Sequence, residues 1–452
     1  MKSTYEGSSR LDRSLVGSLG ARIGATVRVC GWAEPAPAPV PPPTVRPVRL
    51  HVRDHTGRLA LVDPADGPDG DGPVSGRLDA LLADSAIEAV GTVTAAEGEG
   101  GALELVVDQL RVVGPALGAP PINAQSGLEE RLDWRFVDLR RGEARLAFEV
   151  QTTVESTMRE VWLDEGFLEL HSPKIRSTPN KSGSELFTIE YFGAKAYLAQ
   201  SPQFYKQMAM AAGLDRIFEI GPVFRANPLV TNRHDTEFTS VDTEISWVES
   251  HHDVMDFEQR WLRKVIVAVK KRHGDEIRAR TGTEVNVPAL PFPRVTMTEA
   301  YEILAGEGWS AEARPGDIDA EGERLLAAWV QRERGHEFVF VTDYGEAIRP
   351  FYHMRSEPGA GSTRSFDLLW KGLEITTGAQ REHRYETLER QARERGIPIV
   401  GGVQTYLDFF RFGCPPHGGF GLGLTRVLMC LLGHDDVREV TYLHRGRHRI
   451  SP

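Results

Sequence analysis

Three cysteines are all that this 452-residue chain contains, Cys30, Cys414 and Cys430. They are too few and too scattered for a disulfide framework or a four-thiolate zinc centre. Long apolar runs are missing as well. No window comes near the roughly 20 apolar residues that a membrane-crossing helix needs, so no membrane partner is expected. The first residues, MKSTYEGSSRLDRS, hold no apolar stretch of the secretory kind, and a soluble cytoplasmic protein is the expectation. Positive charge is not in excess either: 53 Lys and Arg stand against 64 Asp and Glu, for a net charge of −11. That balance argues against a protein that coats nucleic acid non-specifically, although a local basic groove can sit on an acidic body.

The length and a hydrophobic content of 40% allow two or three domains with substantial cores. Residues 26–33, 48–53, 58–63, 87–93 and 103–113 read as short strands separated by Gly, Pro and Asp turns. Five such strands suggest a small closed barrel of the OB type over residues 1–113. Seven prolines between Pro35 and Pro47 cannot pair as a central strand and are expected to form an extended loop between the first two strands. Residues 114–131 form a linker by composition. The texture then changes: residues 144–165 carry apolar positions at helical spacing, and strands alternate with helices to the end. A mixed domain over 132–452 completes an α+β chain, its last helix beginning near Leu422.

Four stretches carry chemistry, one of them SGSELFTIEYFGAKAYLAQSPQFYKQ, residues 182–207, with Gln203 and Lys206 in its QSPQFYKQ run. In GPVFRANPLVTNRHDTEFTSVDTEISW, residues 221–247, an apolar strand runs into a polar loop and then a second strand that places Phe238, Ser240, Asp242 and Glu244 on one face. Such a hairpin gathers Arg225, His234, Glu237, Asp242 and Glu244. Arginine offers a planar fork for phosphate, aromatic rings offer flat surfaces for a purine, and carboxylates can take an amino group or a metal. A charged hairpin on a solvated face is the plainer reading of any one of these residues. In SFDLLWKGLEITTGAQREHRYE, residues 365–386, Asp367 and Glu374 fall on adjacent strands, where two carboxylates suit a hard cation such as Mg²⁺. Taken alone they read as surface acids. GGFGLGLTRVLMCLLG, residues 418–433, is a glycine-rich stretch leading into a helix that carries Arg426, weak evidence by itself for a phosphate site.

Taken in order, these stretches resemble the class II aminoacyl-tRNA synthetases of the aspartyl and asparaginyl subgroup, and the resemblance covers the chain from about Leu132 to Pro452. It implies an antiparallel catalytic sheet flanked by helices behind an anticodon-binding barrel, a homodimer with Pro173 at the interface, and ATP with Mg²⁺. By the same resemblance Arg225 and Arg426 are the catalytic arginines, on the α- and γ-phosphates. His234, Glu237, Phe238, Glu374, Gly421 and Gly423 complete the ATP site. Gln203, Lys206, Asp242 and Arg381 hold aspartate, Lys206 and Arg381 forming a doubly positive pocket, and Asp367 and Glu374 hold the metal. Asp242 favours the aspartyl branch, and the short chain resembles the archaeal and eukaryotic form. The implied reaction joins L-aspartate to tRNA(Asp), with tRNA(Asn) as a further acceptor. The alternatives are a specialised paralogue that adenylates aspartate or an analogue for a different acceptor, and a non-catalytic sensor of aspartate or tRNA.

Several residues depart from the family pattern. Lys181 stands where a glutamate usually faces the substrate's ammonium group, and Asn227 replaces the glutamate of FRAE. Thr377 replaces a serine, Thr425 an acid and His444 a proline. In the barrel, Arg49 and Ala60 stand where a stacking phenylalanine and a base-reading glutamine are usual. An alanine cannot hydrogen-bond a base edge.

Overall fold

A computed structural model of the chain describes residues 11–35, 50–64, 72–96, 102–177, 186–228, 231–310, 316–357 and 359–451. The chain forms two compact units, Met1–Gly142 and Glu143–Pro452.

In the first unit β1 (Thr26–Pro35), β2 (Leu50–Arg53), β3 (Arg58–Val62), β4 (Ala86–Ala95) and β5 (Leu103–Gly114) close into a barrel in the order β1-β2-β3-β5-β4. Alternation of apolar positions drives it. Val27, Val29, Ala33, Val52, Leu61, Leu105 and Val107 turn inward to one core, which the short helix Val16–Arg22 joins with Val16 and Leu19. The parallel pairing of β3 with β5 closes the ring. Gly91 sits at a register shift, where a Cβ would stand well under 3.0 Å from the Val106 carbonyl oxygen, so only glycine allows that bulge. Ala60 lies half-exposed on β3, opposite His51 and Glu104. Arg49 and residues 36–49 of the proline-rich run lie outside the described residues.

The second unit is built on β6 (Leu168–Glu169), β7 (Ile175–Arg176), β8 (Thr188–Tyr191), β9 (Ala194–Leu198), β10 (Arg216–Phe224), β11 (Glu237–Ser246), β12 (Arg294–Thr296), β13 (Phe338–Thr342), β14 (Ser365–Trp370), β15 (Leu373–Arg381) and β16 (His417–Gly423). Eight of them form one sheet in the order β12-β13-β14-β15-β16-β11-β10-β6, antiparallel through its middle and parallel at both ends. The helices Gly142–Asp164, His251–Thr281 and Leu424–Leu432 supply the apolar side chains of its largest core, around Trp162, Trp261, Phe218, Phe420 and Leu428. The long helix starts on a capping box between Ser250 and Asp253 and stops at Gly282, with φ of 73°.

The glycine-rich run behaves differently from the reading above. His417–Gly423 is a central strand, the helix starts only at Leu424, and one more turn, Val437–Val440, follows it. The reason is packing. A Cβ on Gly419 would stand well under 3.0 Å from both the Thr243 carbonyl oxygen and Glu244 Oε2, so β16 lies against β11 only because that side chain is missing.

Candidate functional site

The middle strands of the sheet floor a cavity of about 820 Å³ whose lining includes Gln203, Lys206, Arg225, His234, Phe238, Asp242, Glu374, Arg381, Gly421, Gly423 and Arg426. The pleat explains the gathering: β11 turns Phe238, Ser240 and Asp242 to the cavity at alternate positions, and its neighbour β16 contributes Gly421 and Gly423. Two ends of the cavity differ in chemistry.

At one end four charged groups interlock. Lys206, 3% exposed, directs its ammonium group to Asp242 Oδ1 at 3.0 Å, the Phe420 carbonyl oxygen at 3.0 Å and Glu244 Oε2 at 3.3 Å. Arg381, 2% exposed, donates from Nε to Glu244 Oε1 at 2.9 Å, from one terminal nitrogen to His353 Nε2 at 3.0 Å and from the other to the Gly419 carbonyl oxygen at 2.8 Å. Glu244 is fully buried; burial opposes its charge, but Arg381 and Lys206 outweigh that and hold its carboxyl below the ordinary value. Ser240 Oγ donates to Asp242 Oδ2 at 2.5 Å. Two cations and two carboxylates therefore balance, and the pocket is not doubly positive as expected from Lys206 and Arg381 alone. Gln203 lines this end and donates to Gln207 Oε1 at 3.0 Å.

At the other end three arginines converge. Arg225 lies over the Phe238 ring at 5.2 Å. Arg426, in the first turn of its helix, donates to the Glu374 carbonyl oxygen at 2.7 Å, lies 3.5 Å from Glu374 Oε1, and approaches His234 Nε2 at 3.3 Å. Because a guanidinium only donates, His234 accepts there and donates from Nδ1 to Thr231 Oγ1 at 2.6 Å. Burial, then the positive charge of Arg426, Arg225 and Arg233, pushes His234 down to about 4, so its ring is neutral at pH 7. Arg233, also in the lining, is held by Glu323 at 2.9 Å. Burial and the nearby Glu374 raise Glu323 to about 7. Glu374 is 36% exposed at its side chain, and Thr377 Oγ1 donates to its Oε1 at 3.2 Å.

Two expected residues fall elsewhere. Glu237 is exposed and outside the cavity lining. Asp367 is buried and turned to Arg349 at 2.6 Å, with Arg349 in turn stacked on Tyr344 at 3.7 Å. In the β14–β15 register Asp367 faces Thr377, whose hydroxyl donates to Glu374, and burial together with the nearby Glu374 charge raises the Asp367 carboxyl above its ordinary value although Arg349 opposes this. Lys181 lies outside the described residues. Asn227 and Thr425 both line the cavity, and His444 Nδ1 hydrogen-bonds to Asp235, the residue that follows His234. Sequence reasoning missed Arg233, Glu323 and His353. Arg233 had a local signal, standing next to His234, whereas Glu323 and His353 come from distant segments.

Comparisons with known proteins follow the same geometry. The family model for class II tRNA synthetases (D, K and N) matches residues 127–446. The aspartate–tRNA(Asp/Asn) ligase of Aeropyrum pernix is 38% identical over 460 residues, covering 98% of this chain and 99% of that protein. The aspartate–tRNA(Asp) ligase of Pyrococcus abyssi is 41% identical over 357 residues, 77% of this chain and 80% of that one. Among solved structures, asparaginyl-tRNA synthetase from Pyrococcus horikoshii, complexed with asparaginyl-adenylate, superposes with a TM-score of 0.84 at 28% identity, covering 96% of this chain and 98% of that one. Aspartyl tRNA synthetase from Entamoeba histolytica gives a TM-score of 0.84 at 26% identity, over 100% and 96% of the two chains.

Proposed function

This chain belongs to the class II tRNA synthetases of the D, K and N group, and on that premise we propose that it is an aspartate–tRNA ligase working in the cytoplasm. What carries the reading is one cavity with arginines for phosphates at one end and a buried, anchored Arg381 at the other. A carboxylate oxygen of L-aspartate attacks the α-phosphorus of ATP, and pyrophosphate leaves with the electrons of the broken P–O bond. The 3′-terminal hydroxyl of the tRNA then attacks the mixed anhydride, AMP leaves, and the ester remains. Arg225 neutralises the charge that grows on the α-phosphate, Arg426 and Arg233 take the outer phosphates, and Phe238 offers its ring to adenine. No protein nucleophile is needed, because positioning and charge stabilisation supply the acceleration.

At the amino-acid end, Arg381 makes three hydrogen bonds among the described residues, one from each nitrogen. A guanidinium has five N–H groups, so one remains on each terminal nitrogen for the side-chain carboxylate of aspartate. Lys206 adds positive charge beside it, Asp242 suits the α-ammonium group, and Gln203 borders the same space. ATP brings Mg²⁺ as its companion. Glu374 and Thr377 fit that ion, being hard oxygen donors 3.2 Å apart on the cavity wall. Asp367 completes the carboxylate pair: Arg349 holds its Oδ2, whereas its buried Oδ1 has no hydrogen-bond partner among the described residues. When bound, the ion would withdraw charge from the phosphate oxygens.

The acceptor is tRNA(Asp), with tRNA(Asn) as the second acceptor to be tested. The working form is a homodimer, supported by the exposed Leu163, Leu168 and Ile175 around Pro173, and sedimentation of the purified protein reads it directly. Aspartate-dependent ATP–pyrophosphate exchange and transfer of labelled aspartate to purified tRNA(Asp) and tRNA(Asn) test the whole reading. Exchange without any acylated tRNA would replace the ligase with a specialised adenylating paralogue. Absence of exchange would leave a sensor.

A further inference from the structure

One guanidinium decides how the proposed pocket meets its substrate, and a neighbouring imidazole decides how that guanidinium lies. Every partner of Arg381 must present a lone pair, because arginine has no acceptor. Glu244 and the Gly419 carbonyl do so by nature. His353, 3.0 Å away through Nε2, does so only as the neutral imidazole carrying its proton on Nδ1.

The backbone leaves His353 little choice of position. Its segment forms a bridge to β15 at Arg381 itself, and the Met354 N–H donates to the Gln380 carbonyl oxygen at 3.0 Å. The His353 carbonyl accepts from Gln391 Nε2 at 3.2 Å. The ring packs edge-on against Tyr352, with centroids 5.3 Å apart, and the residue is 3% exposed. Ring, Glu244 and carbonyl thus grip the guanidinium from three directions. Remove the ring nitrogen, and the plane of the guanidinium is held by two contacts instead of three, one terminal nitrogen losing its acceptor.

We propose that His353 is a positioning residue for amino-acid selection: by accepting from Arg381 it sets the angle at which the remaining N–H groups meet the substrate's side-chain carboxylate. This rests on the ligase reading above, yet it is a separate claim about a residue that acts through Arg381.

The test is steady-state ATP–pyrophosphate exchange with the full chain, with wild type, His353→Leu and His353→Gln compared at pH 7.5 and melting temperatures recorded alongside. Leu removes the acceptor at similar volume, whereas Gln returns an acceptor oxygen near the place of Nε2. The expected result is a rise of about tenfold or more in KM for aspartate in His353→Leu. The kcat and the KM for ATP stay within about twofold, and Gln recovers most of the aspartate KM. If Leu does not fold, His353→Phe, which also lacks the acceptor, takes its place. An unchanged aspartate KM in the folded Leu or Phe variant overturns the proposal, and so does a Gln variant no better than Leu. Wild-type protein that fails to activate aspartate at all would instead overturn the ligase reading on which it stands.

Discussion

Glu244→Gln isolates the ion network under the amino-acid pocket. Gln keeps the shape of the side chain and removes one charge that faces Arg381 at 2.9 Å and Lys206 at 3.3 Å. At an effective dielectric constant of about 20, each contact is an attraction of roughly 5–6 kcal/mol, set against the cost of desolvating three ions. Removing one partner of such a buried group leaves a net loss of about 3–5 kcal/mol, because a cation is stranded. At roughly 2 °C per kcal/mol for a unit of this size, the melting temperature at pH 7 should fall by roughly 6–10 °C. Differential scanning fluorimetry at a fixed scan rate reads this, the fixed rate mattering because large chains often unfold irreversibly. The pH dependence is a second check. The folded state holds Glu244 below its ordinary 4.5, so its stabilisation is complete above 4.5 and is lost as pH falls through the lowered value. The gap between wild type and variant should therefore be constant from pH 8 to 6 and close only below about 4.5. A fall of less than about 2 °C at pH 7, or a gap that closes already near pH 6, refutes the reasoning.

Other perturbations probe separate parts. Gly419→Ala forces a Cβ into the Thr243 carbonyl and Glu244, whereas a Cβ on Gly423 would meet Arg426 Cδ at an ordinary 3.5 Å. Chemical denaturation should show a loss of about 1–3 kcal/mol or more for the first and under about 1 kcal/mol for the second. Glu374→Gln should raise the Mg²⁺ concentration for half-maximal exchange by about tenfold, with Thr377→Val giving a smaller rise in the same direction; a Mg²⁺ titration with an unchanged midpoint in Glu374→Gln would remove that residue from the metal site. Glu258 is buried without a geometrically sound hydrogen-bond partner at either carboxyl oxygen among the described residues, and burial lifts it to about 8, with Thr376 working the other way and the Asp367 charge adding to the rise. Its raised value favours the folded state below 4.5, an advantage lost as pH rises through about 8. Glu258→Gln should thus gain in melting temperature over wild type between pH 5 and 8 and level off above; a flat difference would show that Glu258 is ionised in the fold.

The barrel and the β10–β11 hairpin were legible because their signals are local. A period of two in hydrophobicity marks each barrel strand, and the same period places Phe238, Ser240 and Asp242 on one face without any knowledge of partners. The glycine-rich run was legible as special but not as a strand. A residue without a side chain marks equally a helix-opening turn and a close strand crossing, and only the Thr243 carbonyl across the sheet distinguishes them. Counter-ions were the least legible part. Glu244 meets Arg381 from 137 positions away, and Arg233 meets Glu323 from 90, distances over which no spacing rule operates. Asp367 is a further case, since the Arg349 that holds one of its oxygens comes from a separate segment that no motif links to it.

The counter-ions change how the pocket selects its substrate. Lys206 and Arg381 read alone make a positive pocket that would draw in any carboxylate through its field. With Asp242 and Glu244 at 3.0 Å and 2.9 Å from those cations, the four charges sum to zero and the net field on an arriving side chain is small. A neutral pocket discriminates aspartate from asparagine by direction: donors on Arg381 find lone pairs on both carboxylate oxygens, whereas an amide presents one lone-pair oxygen and one NH₂ group that faces other donors. Selectivity then depends on how rigidly the guanidinium is aimed. That makes its third anchor, His353, more consequential than the total number of positive charges around it.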